Sequence, residues 1–201
     1  MKGYSPLPTV LSTSRCIRSL VLPRFLTAVM SKPVSPIDGA EFSRYSEVSA
    51  NDRGGCLNAC RELTEEIYPG LDVQREITAV ETQRLGDTVL LSDIRGLVGL
   101  AVCHCGPGSE AGTNVCYVKF AAVRPGPAEH DVFIRLLNSC EVLAASKGQS
   151  RLVAGVNTAR EKAYLGMIAH GFRTDMQGVA MQRYSHPGYN RPEVYIIDDW
   201  R

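Results

Sequence analysis

The chain has 201 residues, 44% of them hydrophobic and 21% charged, with a net charge of +1. That length supports one domain with short extensions and enough apolar side chains for a real core. The near-neutral balance excludes a global basic field for nucleic acid or a membrane surface, and no apolar run approaches the roughly 18 residues of a spanning helix.

Residues 1–37 stand apart. They carry Lys2, Arg15, Arg18, Arg24 and Lys32, no acidic residue, and many Ser, Thr and Pro. This is the composition of an organellar transit peptide, and Ser14 to Val29 spells a basic amphipathic helix. A disordered leader, or an upstream start codon with Met30 able to begin a protein, fits equally. Both readings set residues 1–37 outside the folded unit and expect it to fold without them.

Phe42 to Ser49 alternates as a strand does. Asn51-Asp52 offers N-cap oxygens for a helix whose apolar stripe is Cys56, Leu57, Cys60, Leu63 and Ile67, and Pro69-Gly70 ends it. A second helical stretch runs from about Val73 to Arg84. Asp87 to Leu91 and Leu97 to His104 read as a hairpin turning at Asp93–Gly96. A loop follows from Gly106 to about Asn114. Val115 to Val123 is the next strand, stopped by Arg124-Pro125-Gly126-Pro127. Asp131 is placed to cap a long helix through Lys147, striped by Val132, Phe133, Leu136, Leu137, Cys140, Leu143 and Ala144. Arg151 to Val156 is a strand that stops at the helix-start signal Asn157-Thr158. The helix it opens ends at Gly171, the residue type that enters the left-handed C′ conformation without a Cβ penalty. Phe172 to Thr174 and Gly178 to Arg183 close the pattern, which makes residues 42–184 one α/β domain. The tail, 185–201, holds an extended apolar run and the only tryptophan, so it is expected to dock.

The seven cysteines (16, 56, 60, 103, 105, 116 and 140) are odd in number and lie mostly in apolar patterns. They read as free buried thiols in a reducing intracellular compartment, cytoplasmic or, with a transit peptide, mitochondrial. Cys103-His104-Cys105 suggests a metal, but strand neighbours point to opposite faces and no second ligand pair has zinc spacing. No metal is expected.

A strand ending in Val153-Ala154-Gly155-Val156-Asn157, a helix carrying Tyr164 after Thr158-Ala159, and then Gly171-Phe172 resemble the second cofactor-contacting segment of the GNAT acyltransferase superfamily. The element order over residues 42–184 is similar to that of the family. The resemblance implies a mixed central sheet with splayed fourth and fifth strands (115–123 and 151–156) and helices on both faces. It implies an N-acyltransferase using acetyl-CoA or another acyl-CoA as co-substrate on a small-molecule or peptide amine. No nucleic-acid or membrane partner is expected, and a homodimer is allowed.

In the family the pantetheine lies along the fourth strand and the pyrophosphate on backbone N–H groups at the next helix start. Free N–H donors and the positive dipole end suit that anion. The resemblance places Ala121, Val123, Arg124, Glu129, His130, Asp131, Val132, Phe133, Asn157 and Tyr164 at the cofactor. Val123-Arg124-Pro125 matches the family's Val-x-Pro, and Leu136-Leu137 its leucine pair. Between them the family's Q/R-x-x-G-x-G/A is lost: Ala128 stands at the Q/R, Asp131 at the first glycine and Phe133 at the second. Tyr164 takes the position of the acid that protonates the leaving thiolate, a task a phenol of pKa near 10 suits. His104 and Glu110 are candidates for the base, with Lys119 on the fourth strand. His170 reads as a helix C-terminal charge and His186 as a tail residue. Asp198-Asp199 reads either as an amine-binding pair or as a solvated or capping one. The alternative to an enzyme is a GNAT-fold domain without acyl-CoA chemistry, acting as a binding or regulatory module.

Overall fold

The computed structural model describes residues 24–35, 41–181 and 186–198. One eight-stranded sheet organises the chain: β1 (Arg24–Pro33), β2 (Ser43–Arg44), β3 (Gly86–Asp93), β4 (Gly96–Cys105), β5 (Val115–Val123), β6 (Arg151–Asn157), β7 (Arg173–Met181) and β8 (Ile196–Asp198). The order is β2-β3-β4-β5-β6-β1-β7, with β8 paired to β5. Helices α1 (Arg53–Ile67) and α2 (Gln74–Thr82) cover one face, and α3 (Glu129–Ser146) and α4 (Glu161–Ala169) the other. The central strands are therefore buried on both sides. Their near-continuous apolar runs follow from this, with Leu100 and Val102 facing the α1–α2 core and Ala101 and Cys103 the α3–α4 core.

The main correction concerns the amino-terminal segment. Residues 24–33, set aside with the leader on composition, form β1 inside the sheet. It pairs antiparallel with β6 from Thr27↔Asn157 to Pro33↔Arg151, and with β7 from Arg24↔Met181 to Ser31↔Arg173. Ala28 and Met30 are buried in the α3–α4 core. The physical signal is Phe25-Leu26-Thr27-Ala28-Val29-Met30, a short apolar run between Pro23 and Pro33, which is a strand signal that the basic, Ser-rich surroundings obscure. Residues 1–23 lie outside the described residues.

The strand is also tied to α3. Glu141, with no exposed surface, accepts hydrogen bonds from Lys32 Nζ (2.6 Å) and the Ser35 N–H (2.6 Å), and His170 Nε2 lies 3.7 Å away. Burial holds the His170 imidazole below its ordinary pKa, and the nearby Lys32 adds to the effect. Glu141→Ala should destabilise the domain by about 3–5 kcal/mol in urea unfolding, since it strands the partners of a buried carboxylate.

Several boundaries shift. The first expected strand, 42–49, is only Ser43–Arg44, followed by a 3-10 turn at Tyr45–Glu47. The two closing strands are one, β7, and Gln182 and Arg183 lie outside the described residues. α3 starts at Glu129, so Asp131 is an exposed first-turn residue and not the cap. α4 starts at Glu161, because Asn157 Oδ1 accepts the Ala159 N–H at 3.0 Å and makes a turn that delays the helix.

Candidate active site

Among the described residues, β5 and β6 are the only parallel neighbours in the sheet order. They pair from Val115↔Arg151 to Val118↔Ala154 and then separate. At the point of separation β5 carries a bulge: Val102 faces Phe120 and Cys103 faces Val118, leaving Lys119 without a partner across the ladder. This is the splay expected of strands 115–123 and 151–156.

The chain's own tail occupies the splay. β8 runs antiparallel along β5, matching Phe120↔Asp198, Ala121↔Ile197 and Ala122↔Ile196, and the Val123 N–H donates to the Tyr195 carbonyl at 3.1 Å. Tyr195 and Ile197 enter the α3–α4 core, whereas Val194 and Ile196 enter the α1–α2 core. Upstream, Arg191 donates to the Ile67 carbonyl at the end of α1 (3.2 Å), and the Lys162 N–H at the start of α4 donates to the Pro192 carbonyl (3.0 Å). The tail thus crosses the mouth of the splay from α1 to α4.

Arg160 anchors it from below. Its side chain is wholly buried and donates to Asn190 Oδ1 (3.1 Å), to the Ile196 carbonyl (2.7 Å) and to Asp198 Oδ1, while its guanidinium lies 5.4 Å from the Tyr189 ring centre. Tyr189 donates its hydroxyl to Asp198 Oδ2 at 2.6 Å. Burial, followed by the Asp198 charge, pushes the Tyr189 phenol far above its ordinary pKa, so it stays a donor. Asp198 is therefore committed to Arg160 and Tyr189 and not to an amine, and Asp199 lies outside the described residues.

The cofactor candidates surround this plug. Ala121 and Val123 offer β5 backbone that β8 already pairs. Arg124 is engaged by the Leu97 carbonyl (2.9 Å) and by Glu66. At the start of α3, Glu129 accepts from the Gly126 N–H (3.4 Å) and binds Lys162 (2.9 Å), so a carboxylate of the chain itself stands at the dipole end. His130 Nδ1 meets the Tyr195 hydroxyl at 3.0 Å. Val132 is buried, and Asp131 projects to solvent. Phe133 fills the gap between α3 and α4. It stacks on Tyr195 with ring centres 4.8 Å apart and lies where a Cβ on Gly166 would come within 3.1 Å. Asn157 serves the turn before α4.

The catalytic candidates do not form one constellation. Tyr164 is half-buried on α4, packed against the α3–α4 core. His104 is 2% exposed on the other face. Neither of its ring nitrogens has a hydrogen-bond partner among the described residues, and Glu76 Oε1 is 3.5 Å from Nε2. Glu110 grips Lys119 through both carboxylate oxygens, at 2.6 and 2.5 Å. Arg160, Tyr189, Asn190 and Tyr195 were not singled out by sequence. The available signal was the alternating Val194–Ile197 run ending in an acidic residue.

No family model matches the sequence, and no curated protein matches it. Solved structures do resemble it. An acetyltransferase of the GNAT family from Colwellia psychrerythraea superposes with a TM-score of 0.59 at 9% identity, over 77% of this chain and 54% of that one. The chain has the fold of this GNAT structure. A GNAT-family protein from Novosphingobium aromaticivorans (TM-score 0.55, 14% identity, 89% of this chain and 66% of that one) and a GCN5-related N-acetyltransferase from Sphaerobacter thermophilus (0.53, 15%, 83% and 54%) are similar in the same way. The chain thus spans between about half and two thirds of the length of these GNAT structures.

The residues present do not fit acyl-CoA in the GNAT manner. The β5 edge is hydrogen-bonded to β8, and Phe133 and Glu129 stand where glycine and bare N–H groups would meet a pyrophosphate. Among the described residues no three His, Cys, Asp or Glu side chains gather as a metal site, and no helix is long and apolar enough to cross a membrane.

Proposed function

We propose that this chain is a GNAT-fold binding or regulatory module in which the acyl-CoA groove has become part of the hydrophobic core. The observation that carries the reading is β8 hydrogen-bonded into the splay between β5 and β6. Val194, Tyr195, Ile196 and Ile197 are buried, which contributes roughly 6–12 kcal/mol, before the entropy of ordering the tail is subtracted, at about 1.5–3 kcal/mol per large apolar side chain.

Acyl-CoA-dependent N-acyl transfer to a small-molecule or peptide amine is the second reading. It is favoured by the bulge at Lys119 at the apex of the splay, by Tyr164 on α4, and by the neighbours described as acetyltransferases. Calorimetric titration separates the two. Wild type and Asp131→Gly, which restores the family glycine at the start of α3, are both expected to take up no acetyl-CoA at millimolar concentration. Saturable binding by wild type, with turnover that Tyr164→Phe slows, would replace the module reading with the transferase one.

A further inference from the structure

Four thiols on the α3 side of the sheet form a file that runs from the surface into the core. Cys105 is half-buried at the end of β4 and lines a half-open cleft, with Gly86 of β3 and Lys147 beyond α3 on the same wall. Its Sγ lies 3.5 Å from Cys116 Sγ. Deeper in, Cys103 contacts Cys116 and has its Sγ 3.9 Å from Cys140 Sγ. Cys103, Cys116 and Cys140 have no exposed surface. All four are free thiols, as are Cys56 and Cys60 on α1.

Cys105 and Cys116 face each other directly across the β4–β5 ladder. The next pair along is hydrogen-bonded, since the Gly106 N–H donates to the Val115 carbonyl at 3.1 Å. By the alternation of an antiparallel ladder, Cys105 and Cys116 are then a non-hydrogen-bonded pair, whose Cα atoms approach to about 4.5 Å. A disulfide takes Cα atoms roughly 4.4–6.8 Å apart, so this pair closes without moving the strands. The other thiols are worse placed. Cys56 and Cys60 stand one turn apart on α1, with Cβ atoms about 5–6 Å from each other against the roughly 3.5–4.5 Å of a disulfide. Cys103 and Cys140 have no exposed surface through which an oxidant could enter.

We propose that Cys105 and Cys116 form a reversible disulfide when the chain meets a hydroperoxide, with Cys105 taking the oxidant at the cleft and Cys116 resolving it from behind. The Cys105 thiolate attacks the peroxide, the O–O bond breaks, and the released alkoxide takes up a proton and leaves as an alcohol. Cys116 then attacks the sulfenic sulfur of Cys105. The S–S bond forms, the S–O bond breaks, and water leaves with the Cys116 proton. Two thiols and one hydroperoxide become one disulfide, one alcohol and one water. Contact with Cys116, and then burial, hold the Cys105 thiol above its ordinary pKa; Asp87 adds to this and Lys147 opposes it. Little thiolate is present at neutral pH, so the pair records sustained oxidation and is no fast peroxidase. The link closes the base of the β4–β5 loop, whose Glu110 holds Lys119 at the bulge of β5. It stands independently of whether the groove carries chemistry.

The test treats the full chain, freed of reductant, with excess hydrogen peroxide, and then blocks the remaining thiols. Cleavage beside Glu110 separates Cys105 from Cys116 along the chain. Mass spectrometry should find the two fragments joined, and a dithiol reductant should part them. The joined species should form faster as pH rises, because the attacking thiolate becomes more abundant. Cys105→Ser should abolish the link, and Cys103→Ala, which removes the other neighbour of Cys116, should keep it. The oxidised chain should melt about 5–10 °C above the reduced one, since the link constrains the unfolded chain. Fragments that stay separate under excess peroxide overturn the proposal, as does a link that survives Cys105→Ser or is lost in Cys103→Ala. A lowered melting midpoint in the linked chain overturns it too, because the bond would then belong to unfolded molecules.

Discussion

A chain ended at Glu193 should fail to hold the native fold at room temperature, with circular dichroism showing no cooperative unfolding transition. The truncation removes Val194 to Ile197 from both cores at roughly 6–12 kcal/mol. It also strands the wholly buried Arg160 without Asp198, at about 3–5 kcal/mol. Even after the ordering entropy of the removed residues is subtracted, these losses are a large part of the roughly 5–15 kcal/mol that a whole domain has. Asp198→Ala isolates the second contribution and should cost about 3–5 kcal/mol, with cooperative unfolding retained. The measurement bears directly on function. A truncated chain that melts within a few degrees of wild type would mean that the tail is an appendage, that the splay opens freely, and that acyl-CoA has a groove to enter.

The sequence made the middle of the domain legible because burial on both faces leaves a plain signature. β4, β5 and β6 are near-unbroken apolar runs between Gly, Pro and Asn punctuation, and α3 carries a full helical stripe. The lost glycines at Asp131 and Phe133 were likewise visible, and the structure shows what fills the space: Phe133 lies against Gly166 and Tyr195. The tail's apolar run was visible too, but not its address. Residues 120–122 and 196–198 are far apart along the chain, and no local pattern encodes which strand edge a short run will find. Arg160 was unreadable for a related reason. An arginine at a helix start normally reads as surface, and only the convergence of Asn190, Ile196 and Asp198 makes it a buried anchor.

A chain begun at Met30 should be destabilised by on the order of 5 kcal/mol, because it keeps the end of β1 and loses the strand's first half. Thr27 to Val29 bridge two neighbours at once, β6 on one side and β7 on the other, and Arg24 to Leu26 pair with β7. The Leu26 carbonyl additionally accepts the Thr158 N–H at 2.8 Å and the Thr158 hydroxyl at 3.1 Å, fixing the turn that leads to Arg160 and α4. With roughly half a dozen backbone hydrogen bonds lost at about 1 kcal/mol net each, the cost is a large part of the stability of a domain. The damage should also spread. Without these residues the far end of β7 has no partner strand, and the edge of β6 near Asn157 is left bare beside the anchor of the tail. A chain begun at Arg24 retains every pairing described for β1 and is the control. Urea unfolding of the two chains decides the point: if the Met30 chain unfolds at the same midpoint as the Arg24 chain, residues 24–29 contribute nothing to the sheet and belong with the leader after all.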